Sequence, residues 1–442
     1  MEAAEKILNH FKISKPQRKF LVTLFTAILT VRGKINFRNL SRFSEVSEET
    51  YSRQYAKPFE FMAFNREVID EALGKDSERI VAYDPSFITK SGKKTHGLGS
   101  FWNGCHGRCE KGLEMATLAI VDIEKNTGFA LSTRQTEPAQ ERTKQGATAP
   151  PQEACEPDPV KKTAPQKGRK KKGKTPSKKS RGTYETEDET LIDQYVQQLR
   201  EAQPFLRESE THMVVDGAFA KKKYVDGVCE LGLHVVGKLR CDANMRDLYT
   251  GPKREKGRGR QKTYDGKVNW QDLSQLDYVG GEEGIEIYTL LLNHVSLKRN
   301  VRVVVLLDTR NKDKTRQAIL FSTDTELEAK TLLRYYKARF QIEFIFRDAK
   351  QFTGLCDSQA RDQKRLDFHF NASLTTLNLA KLEHLNVPSD TRPRTFSMAS
   401  VKACFFNTFF LQKIFSMLDL DLNSIEKSPQ YQKLLDYGKI AA

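Results

Sequence analysis

The sequence predicts an α/β protein in which a mixed sheet is flanked by helices, carries a mostly β insertion and has helical regions at both ends. Two short apolar runs, residues 79–84 and 211–216, have the composition of strands, and each ends in an aspartate. Residues 219–228 and 231–240 then continue as helix and strand, which is the alternation of a βαβ unit. Residues 325–352 have the apolar period of a long amphipathic helix.

The composition indicates a large, polar and basic protein. Charged residues make up 29% of the 442 residues, and 73 Lys and Arg against 57 Asp and Glu give a net charge of +16. A balance this basic predicts a polyanionic partner, most often nucleic acid, with an anionic membrane surface as the lesser alternative.

The sequence predicts neither a membrane span nor secretion. The longest apolar run, residues 20–31, is too short to cross a bilayer and predicts a buried helix. The chain begins with acidic residues where a secretory signal would be basic, and its seven scattered cysteines fit reduced thiols. We therefore expect a cytoplasmic protein. Cys105, His106 and Cys109 lack a second pair of zinc ligands, so we interpret them as a structural cluster.

Residues 1–78 predict a helical N-terminal region. Short polar helices near residues 37–53 resemble a helix-turn-helix, so DNA binding is one interpretation and plain packing is the other. The strand that follows is expected to end at Asp84, because Pro85 cannot donate to a sheet ladder. Residues 113–123 predict another strand of an antiparallel meander.

Residues 137–184 predict a disordered basic linker, because the core-forming pattern gives way to Pro, Gln, Thr, Lys and Gly. Eleven Lys or Arg and no acid lie within residues 161–181. The linker is interpreted as a solvating spacer, as an arm that contacts the DNA backbone, or as a nuclear-type address. Helical period returns at residues 185–202.

Residues 285–297, 301–307 and 316–322 predict three strands that lead into the long helix. Beyond that helix, residues 366–385 and 401–418 predict two further helices. The second of them includes the run Phe-Phe-Asn-Thr-Phe-Phe-Leu, which is bulky enough for buried packing or for a dimer surface. Buried packing is the interpretation that we prefer.

The long helix at residues 325–352 has one polar and one apolar face. At about 100° per residue, its four polar functional side chains fall within roughly 60° of one another. They are Tyr336, Arg339, Glu343 and Lys350. The apolar face consists of Ala338, Ile342, Ile345, Ala349 and Phe352. Thr325 with Glu328 predicts a capping box at the start, and Gly354 predicts a left-handed stop after the end.

Three acids from distant parts of the chain predict metal-dependent chemistry on phosphodiesters. Cleavage with two divalent cations needs carboxylates that hold both metals. Asp84, Asp216 and Glu343 supply hard oxygen ligands of the kind that Mg²⁺ or Mn²⁺ prefers. A lone aspartate at a strand end is more often a turn or cap residue. Two such aspartates together with a glutamate on a basic helix face are poorly explained in that way.

The spacing on the long helix resembles the signature of the DDE transposases of the insertion-sequence-four family. That signature is Tyr, two residues, Arg, three residues, Glu, six residues and Lys, and it is matched here without a gap. Residues 84–93 and 216–221 also resemble the segments that carry the family's first two acids. The resemblance covers residues 79–380. It implies a ribonuclease-H-like catalytic core, interrupted by a mostly β insertion near residues 241–284.

The resemblance also implies a DNA transposase that moves an insertion sequence by cut-and-paste transposition, with metal-dependent DNA cleavage and strand transfer. Its partners would be the terminal inverted repeats of the element and target DNA, and it would act as a homodimer in the DNA complex. Asp84, Asp216 and Glu343 would be the catalytic metal ligands for two Mg²⁺ or Mn²⁺ ions per active site.

In the same family, Tyr336, Arg339 and Lys350 would contact DNA near the cut. Closing the second strand as a hairpin requires a base to leave the stack, and an aromatic ring offsets part of that cost. Trp270, the single tryptophan between Asp216 and Glu343, is our candidate platform, with a core tryptophan as the alternative.

The predicted regions follow from these elements. In chain order they are an N-terminal helical region (1–78), three parts of the catalytic core (79–136, 185–240 and 285–360), the basic linker (137–184), the insertion (241–284) and a C-terminal helical region (361–442). Two other functions stay open: a hydrolysis-only nuclease of the same fold, and a transposase-derived DNA-binding protein in which the acids are idle. The presence of all three acids argues against the second.

Overall fold

Within the residues that the structure describes, twelve strands form one mixed sheet. The structure is a computed structural model, and it describes residues 1–74, 77–138, 190–252, 260–310, 316–387, 395–419, 425 and 428–440. The strands are β1 (Arg79–Thr89), β2 (Gly99–Asn103), β3 (Arg108–Asp122), β4 (Thr127–Thr136), β5 (His212–Val215), β6 (His234–Leu239), β7 (Met245–Leu248), β8 (Tyr264–Lys267), β9 (Asp277–Glu282), β10 (Ile285–His294), β11 (Arg299–Asp308) and β12 (Arg316–Ser322).

The first half of the sheet is built around β1. This strand pairs antiparallel with β3 and parallel with β5, and β5 pairs parallel with β6. On its other edge, β3 pairs antiparallel with β4 and with β2. The arrangement confirms the predicted mixed sheet and is consistent with a ribonuclease-H-like fold.

The second half of the sheet is antiparallel. β12 pairs with β6, and the order continues through β11, β10, β7 and β8, with β9 also on β10. The three strands predicted before the long helix are confirmed as β10, β11 and β12. Strands β7, β8 and β9 belong to the region expected to be a mostly β insertion, and they join the same sheet.

The helices confirm the helical character predicted for both ends of the chain. In chain order they are α1 (Glu2–Leu8), α2 (Lys15–Thr30), α3 (Phe37–Arg42), α4 (Glu48–Gln54), α5 (Phe61–Leu73), α6 (Leu191–Ala202), α7 (Lys222–Glu230), α8 (Ala329–Ala338), α9 (Gln341–Phe352), α10 (Gln363–Asn386), α11 (Met398–Met417) and α12 (Pro429–Leu435). Among the helices that the structure describes, none is both long and apolar enough to cross a membrane. Residues 139–184 of the predicted linker lie outside the described residues.

Helices cover both faces of the sheet. The side chains of β1 therefore alternate between two apolar cores, one on each face. Val81 and Tyr83 belong to the core that also contains residues of the N-terminal helices and of α6 and α7. Ile80 and Ala82 belong to the core that contains residues of α8, α9 and α10. A strand buried on both faces is therefore the origin of the continuous apolar run that the sequence shows before Asp84.

Helix α10 is buried at almost every position from Leu366 to Leu382, including polar ones. The amide side chain of Asn378 explains how a polar residue is tolerated there. Its Oδ1 accepts from the backbone N of Ala130 at 3.0 Å, and its Nδ2 donates to the backbone O of Ala130 at 2.7 Å. These bonds fix α10 across β4, since buried polar groups need partners.

Helix α11 confirms the helix predicted at residues 401–418, but its run of phenylalanines is only partly buried. Phe410 is 53% exposed. Nζ of Lys402 donates to the backbone oxygens of Ile28 and Phe352 at 2.9 and 2.8 Å. The second turn of α11 is thereby held against α2 and α9, whereas the later part of the helix leaves apolar side chains at the surface.

A buried ion pair connects the N-terminal helices to the segment that precedes β5. Nη1 of Arg66, on α5, donates to both carboxylate oxygens of Glu210 at 2.9 and 3.1 Å. Both side chains are almost fully buried. Removing one partner of such a pair leaves an uncompensated buried charge, which typically costs about 3–5 kcal/mol. The pair therefore fixes the segment that enters β5.

Candidate active site

Asp84 and Asp216 lie at equivalent positions on two adjacent strands. β1 and β5 run parallel, and the last of their register pairs is Tyr83 with Val215. Each aspartate directly follows its member of that pair. Since neighbouring strands lie about 4.8 Å apart, the two residues lie side by side at the point where β5 ends.

β1 does not end at Asp84, so the predicted strand end was wrong. The strand continues to Thr89, and β3 stays paired with it, for example between Pro85 and Ala116. β5 pairs with β1 only as far as Tyr83, so at Pro85 one edge of β1 is no longer paired with β5. A residue without an N–H is tolerated at such an edge, which is why proline does not stop the strand.

The strand end predicted at Asp216 is confirmed. β5 ends at Val215, and a 3₁₀ turn follows at Gly217–Phe219. The Asp216 carboxylate accepts a hydrogen bond from the backbone N of Ala218 at 3.2 Å. That single bond caps the turn and leaves the carboxylate exposed at the sheet end.

Glu343 lies on α9, because the predicted single helix is broken into two. α8 ends before Arg339, and α9 begins at Gln341. Between them the backbone N of Ile342 bonds to the backbone O of Arg339, three residues earlier, at 3.1 Å. This is the tighter spacing of a 3₁₀ turn, so the continuity predicted for residues 325–352 was wrong. The apolar face is kept, since Ile342 is fully buried.

The predicted capping box is also wrong, whereas the predicted stop is confirmed. The first helical residue is Ala329, so Glu328 is itself the N-cap and makes no side-chain cap bond. The guanidinium of Arg302 donates to the backbone O of Thr325 at 2.7 and 3.0 Å and holds that residue outside the helix. At the other end Gly354 has a φ of 74°, the left-handed conformation that ends a helix.

Arg339 connects the signature residues of the two helices. Its Nη2 donates to Oε1 of Glu343 at 2.7 Å, and its Cζ lies 5.8 Å from the ring centroid of Tyr336. Arg339 is largely buried, whereas the side chain of Glu343 is 39% exposed. The arginine therefore orients a carboxylate that remains accessible from outside.

The pKa of Asp84 shows that the three acids share one electrostatic environment. Burial raises the pKa of Asp84 to about 7; Arg339 opposes this rise, and the negative charges of Asp216 and Glu343 add to it. Burial also raises the pKa of the Tyr336 hydroxyl, and the same two carboxylates contribute. Asp84 on β1, Asp216 after β5 and Glu343 on α9 thus influence one another electrostatically around Arg339.

Lys350 binds to the strand of the first aspartate. Its Nζ donates to the backbone O of Phe87 at 3.0 Å. Phe87 lies three residues beyond Asp84 on β1, in the part of the strand that runs past β5. This bond fixes the last turn of α9 and β1 relative to each other.

Glu114 is a fourth buried acid near the site that sequence reasoning missed. It lies on β3, opposite Phe87 of β1. Its Oε1 accepts from the hydroxyl of Tyr195 at 2.7 Å and from the hydroxyl of Thr136 at 2.8 Å. Burial raises the pKa of Glu114, and its charge contributes to the raised pKa of Asp84. Nothing in the local sequence indicates this contact, because Tyr195 is far away along the chain.

Two exposed phenylalanines beside Glu343 were also missed. Phe340 and Phe344 are 52% and 37% exposed, and their rings meet edge to face at 6.0 Å. They line a groove of about 760 Å³ whose rim carries Lys330 and Lys337. Bulky apolar residues at the outside of a helix near a candidate catalytic acid were the available signal.

Trp270 lies in a turn between β8 and β9 and is partly buried against the apolar core. Its Nε1 donates to the backbone O of Ala243 at 3.1 Å, and Gln317 donates to its backbone O at 3.2 Å. These are the contacts of a packed residue. Its assignment as a base-stacking platform stays a prediction.

Among the described residues, no three His, Cys, Asp or Glu side chains are grouped closely enough to hold one metal ion. For the three acids, the chemistry of the donor set still fits a divalent cation. Asp84 carries a pKa raised partly by two neighbouring carboxylates, a repulsion that a bound cation relieves.

The comparison with protein families agrees with this geometry. Residues 166–379 match the transposase DDE domain. The matched range begins after Asp84. It contains Asp216 and the four signature residues, of which Glu343 is one. No curated protein matches the chain. The match to the transposase domain supports a function as a transposase, with DNA as the partner.

Proposed function

We propose that this chain is a cut-and-paste DNA transposase of the insertion-sequence-four family. It would bind the terminal inverted repeats of its element, nick the DNA to free a 3′ hydroxyl, close the second strand as a hairpin and join the ends to target DNA. The observation that carries the proposal is the position of Asp84 and Asp216, side by side on parallel strands, with Glu343 in the same electrostatic environment.

Asp84, Asp216 and Glu343 would hold two Mg²⁺ or Mn²⁺ ions. When bound, these ions supply the positive charge that activates the attacking oxygen and stabilises the leaving oxygen. Arg339 keeps Glu343 oriented through its 2.7 Å bond. Arg339 is itself held in place beside the Tyr336 ring. The Glu343 carboxylate therefore needs little reorganisation before the reaction.

Tyr336, Arg339 and Lys350 would contact the DNA backbone beside the scissile phosphate. Tyr336 lies on α8, Arg339 in the break between the two helices and Lys350 on α9. A positive charge from Lys350, held at Phe87 on β1, offsets the phosphate charge next to the carboxylates.

The hairpin step needs an aromatic platform for the extruded base. Trp270 is the candidate that the sequence supplies. Phe340 and Phe344 are a second candidate, supported by their exposure on either side of Glu343 and by the lysines at the rim of their groove. The N-terminal helices and the basic linker would add sequence-independent contacts, and a homodimer in the cytoplasm would hold both element ends.

A single reaction separates this function from its alternatives. The purified chain is incubated with Mg²⁺, with duplex DNA carrying the repeats that flank its gene and with a supercoiled target plasmid. A transposase yields nicked ends, hairpins and strand-transfer products. A hydrolysis-only nuclease yields nicks without joined products, and a DNA-binding protein yields a complex without any cleavage.

A further inference from the structure

The hairpin of β2 and β3 presents one wholly exposed face, and that face carries an aromatic ring. Register partners on adjacent strands have their side chains on the same side of the sheet. Trp102 pairs with Cys109, and Ser100 pairs with Lys111. All four are exposed, and the Trp102 side chain is 60% exposed. The next residue towards the core, Phe101, points the other way and is buried.

The tip of this hairpin is held in one conformation by the acid on its other face. The Glu110 carboxylate accepts from Nδ2 of Asn103 and from Nε of Arg108, both at 2.7 Å, and contacts Nδ1 of His106 at 2.9 Å. These bonds hold the pKa of Glu110 at about 2. Glu110, the one acid within residues 99–112, is therefore paired locally with Arg108 and lies on the face opposite Trp102.

The surroundings of Trp102 are basic. Lys111 shares its face, and Lys93 and Lys94 lie in the segment that connects β1 to β2. Over the part of the chain that the structure describes, none of these three lysines forms an ion pair. Exposed ammonium groups beside an exposed ring are complementary to duplex DNA, whose phosphates bind the charges while the sugars along the backbone contact the ring.

The sheet register also gives the distance from the candidate active site. Asp84 pairs with Thr117 of β3, and Trp102 pairs with Cys109 of the same strand. Eight residues separate the two levels, which at about 3.3 Å per residue is roughly 26 Å. Stacked base pairs rise about 3.4 Å, so this length corresponds to roughly eight base pairs.

We propose that the β2–β3 hairpin is a second DNA-contacting element, in which Trp102 and Lys111 bind duplex DNA about eight base pairs from the scissile phosphate. The proposal rests on the proposed function, because the distance along the DNA is counted from the bond that the three acids would cleave. The rigid tip favours binding, since little conformational freedom is left to lose when DNA docks.

Tryptophan fluorescence tests the proposal directly, because the chain has only two tryptophans. Trp270→Phe leaves Trp102 as the reporter, and Trp102→Phe leaves Trp270. Duplexes that carry the flanking repeat are shortened from one side at a time. We expect DNA to protect Trp102 from acrylamide quenching and the protection to disappear when fewer than about eight base pairs remain on one side of the cut. If Trp270→Phe does not fold, the fluorescence of Trp102 is obtained instead by subtracting the fluorescence of the Trp102→Phe variant from that of wild type.

Binding measurements complete the test. Trp102→Ala is expected to weaken DNA binding at least about fivefold, whereas Tyr437→Ala, at another exposed aromatic, leaves it unchanged. Equal quenching of Trp102 with and without bound DNA overturns the proposal, and so does protection that depends on protein concentration alone, which identifies a contact between two copies. Cleavage by the wild-type chain on the same duplexes tests the proposed function separately.

Discussion

Asp84 and Asp216 each follow a member of the same register pair, Tyr83 and Val215, on adjacent parallel strands. This relationship brings together two residues that are far apart in the chain, and it places both at the end of the sheet where Glu343 and Arg339 also lie. The proposed chemistry depends on this convergence, and so do the predictions that concern DNA cleavage.

Replacing Arg339 by Ala is expected to reduce DNA cleavage by about 10²–10³-fold, the usual effect of removing one preorganised electrostatic group. The variant loses the bond that orients Glu343 and the positive charge beside Asp84. Single-turnover nicking rates provide the measurement. Arg347→Ala is the matched control, because that arginine is exposed on α9, the helix that carries Glu343, and pairs with Asp348 instead. Equal losses in both variants would point to a general effect of positive charge.

Deleting residues 161–181 is expected to weaken binding to every DNA sequence alike, if this basic segment contacts phosphates. Each lost contact lowers the slope of log affinity against log salt by about one. The measurement is DNA affinity over a series of salt concentrations. A control chain in which the same length is replaced by Gly and Ser keeps the spacing. A slope that does not change identifies the segment as a spacer.

Trp270→Ala is expected to leave the first nick nearly normal and to reduce hairpin formation by roughly fivefold to a hundredfold, if Trp270 is the stacking platform. An abasic substrate at the flipped position should then recover part of the loss. Nicking and hairpin products are quantified from one gel, and thermal unfolding is followed in parallel. Loss of folding identifies Trp270 as a core residue. The selective loss of hairpin formation is then expected in Phe340→Ala.

His369 is expected to make stability depend on pH. Burial lowers the pKa of His369 to about 4, while its Nε2 donates to the backbone O of Gly354 at 2.8 Å. The unfolded chain binds a proton near pH 6.5, so the free energy of unfolding falls as pH drops from about 6.5 to about 4, by at most roughly 3 kcal/mol.

Urea unfolding of wild type and His369→Gln at several pH values measures this effect. The difference between the two proteins should change over that pH interval and stay constant above about pH 7. His106→Gln, at an exposed histidine, is the control. A wild-type-minus-variant difference that does not vary with pH would show that His369 is not held neutral in the folded chain.

The sequence was sufficient for the residues that act through local spacing. Arg339 contacts Glu343 and the Tyr336 ring, and these contacts persist across the break between α8 and α9. The break itself had no signal, since neither Gly nor Pro stands there. A 3₁₀ turn between two helices of the same period looks like one helix in the sequence.

The errors concern features that depend on distant partners. Pro85 does not end β1, because the pairing partner on one side has already ended, and only the sheet topology shows this. Glu114 could not be recognised, because its partner Tyr195 comes from another part of the chain. Residue type alone also could not distinguish Trp270, which is packed, from Trp102, which is exposed.

The most direct test of the central claim is the nicking rate of three single variants, Asp84→Ala, Asp216→Ala and Glu343→Ala, on DNA carrying the flanking repeats with Mg²⁺. Glu326→Ala, at an exposed acid just before α8, is the control. Each of the three variants is expected to lose nicking below detection while binding DNA as wild type does, because the DNA-contacting positive charges remain. Normal nicking by any one of the three contradicts the assignment of these acids as one active site.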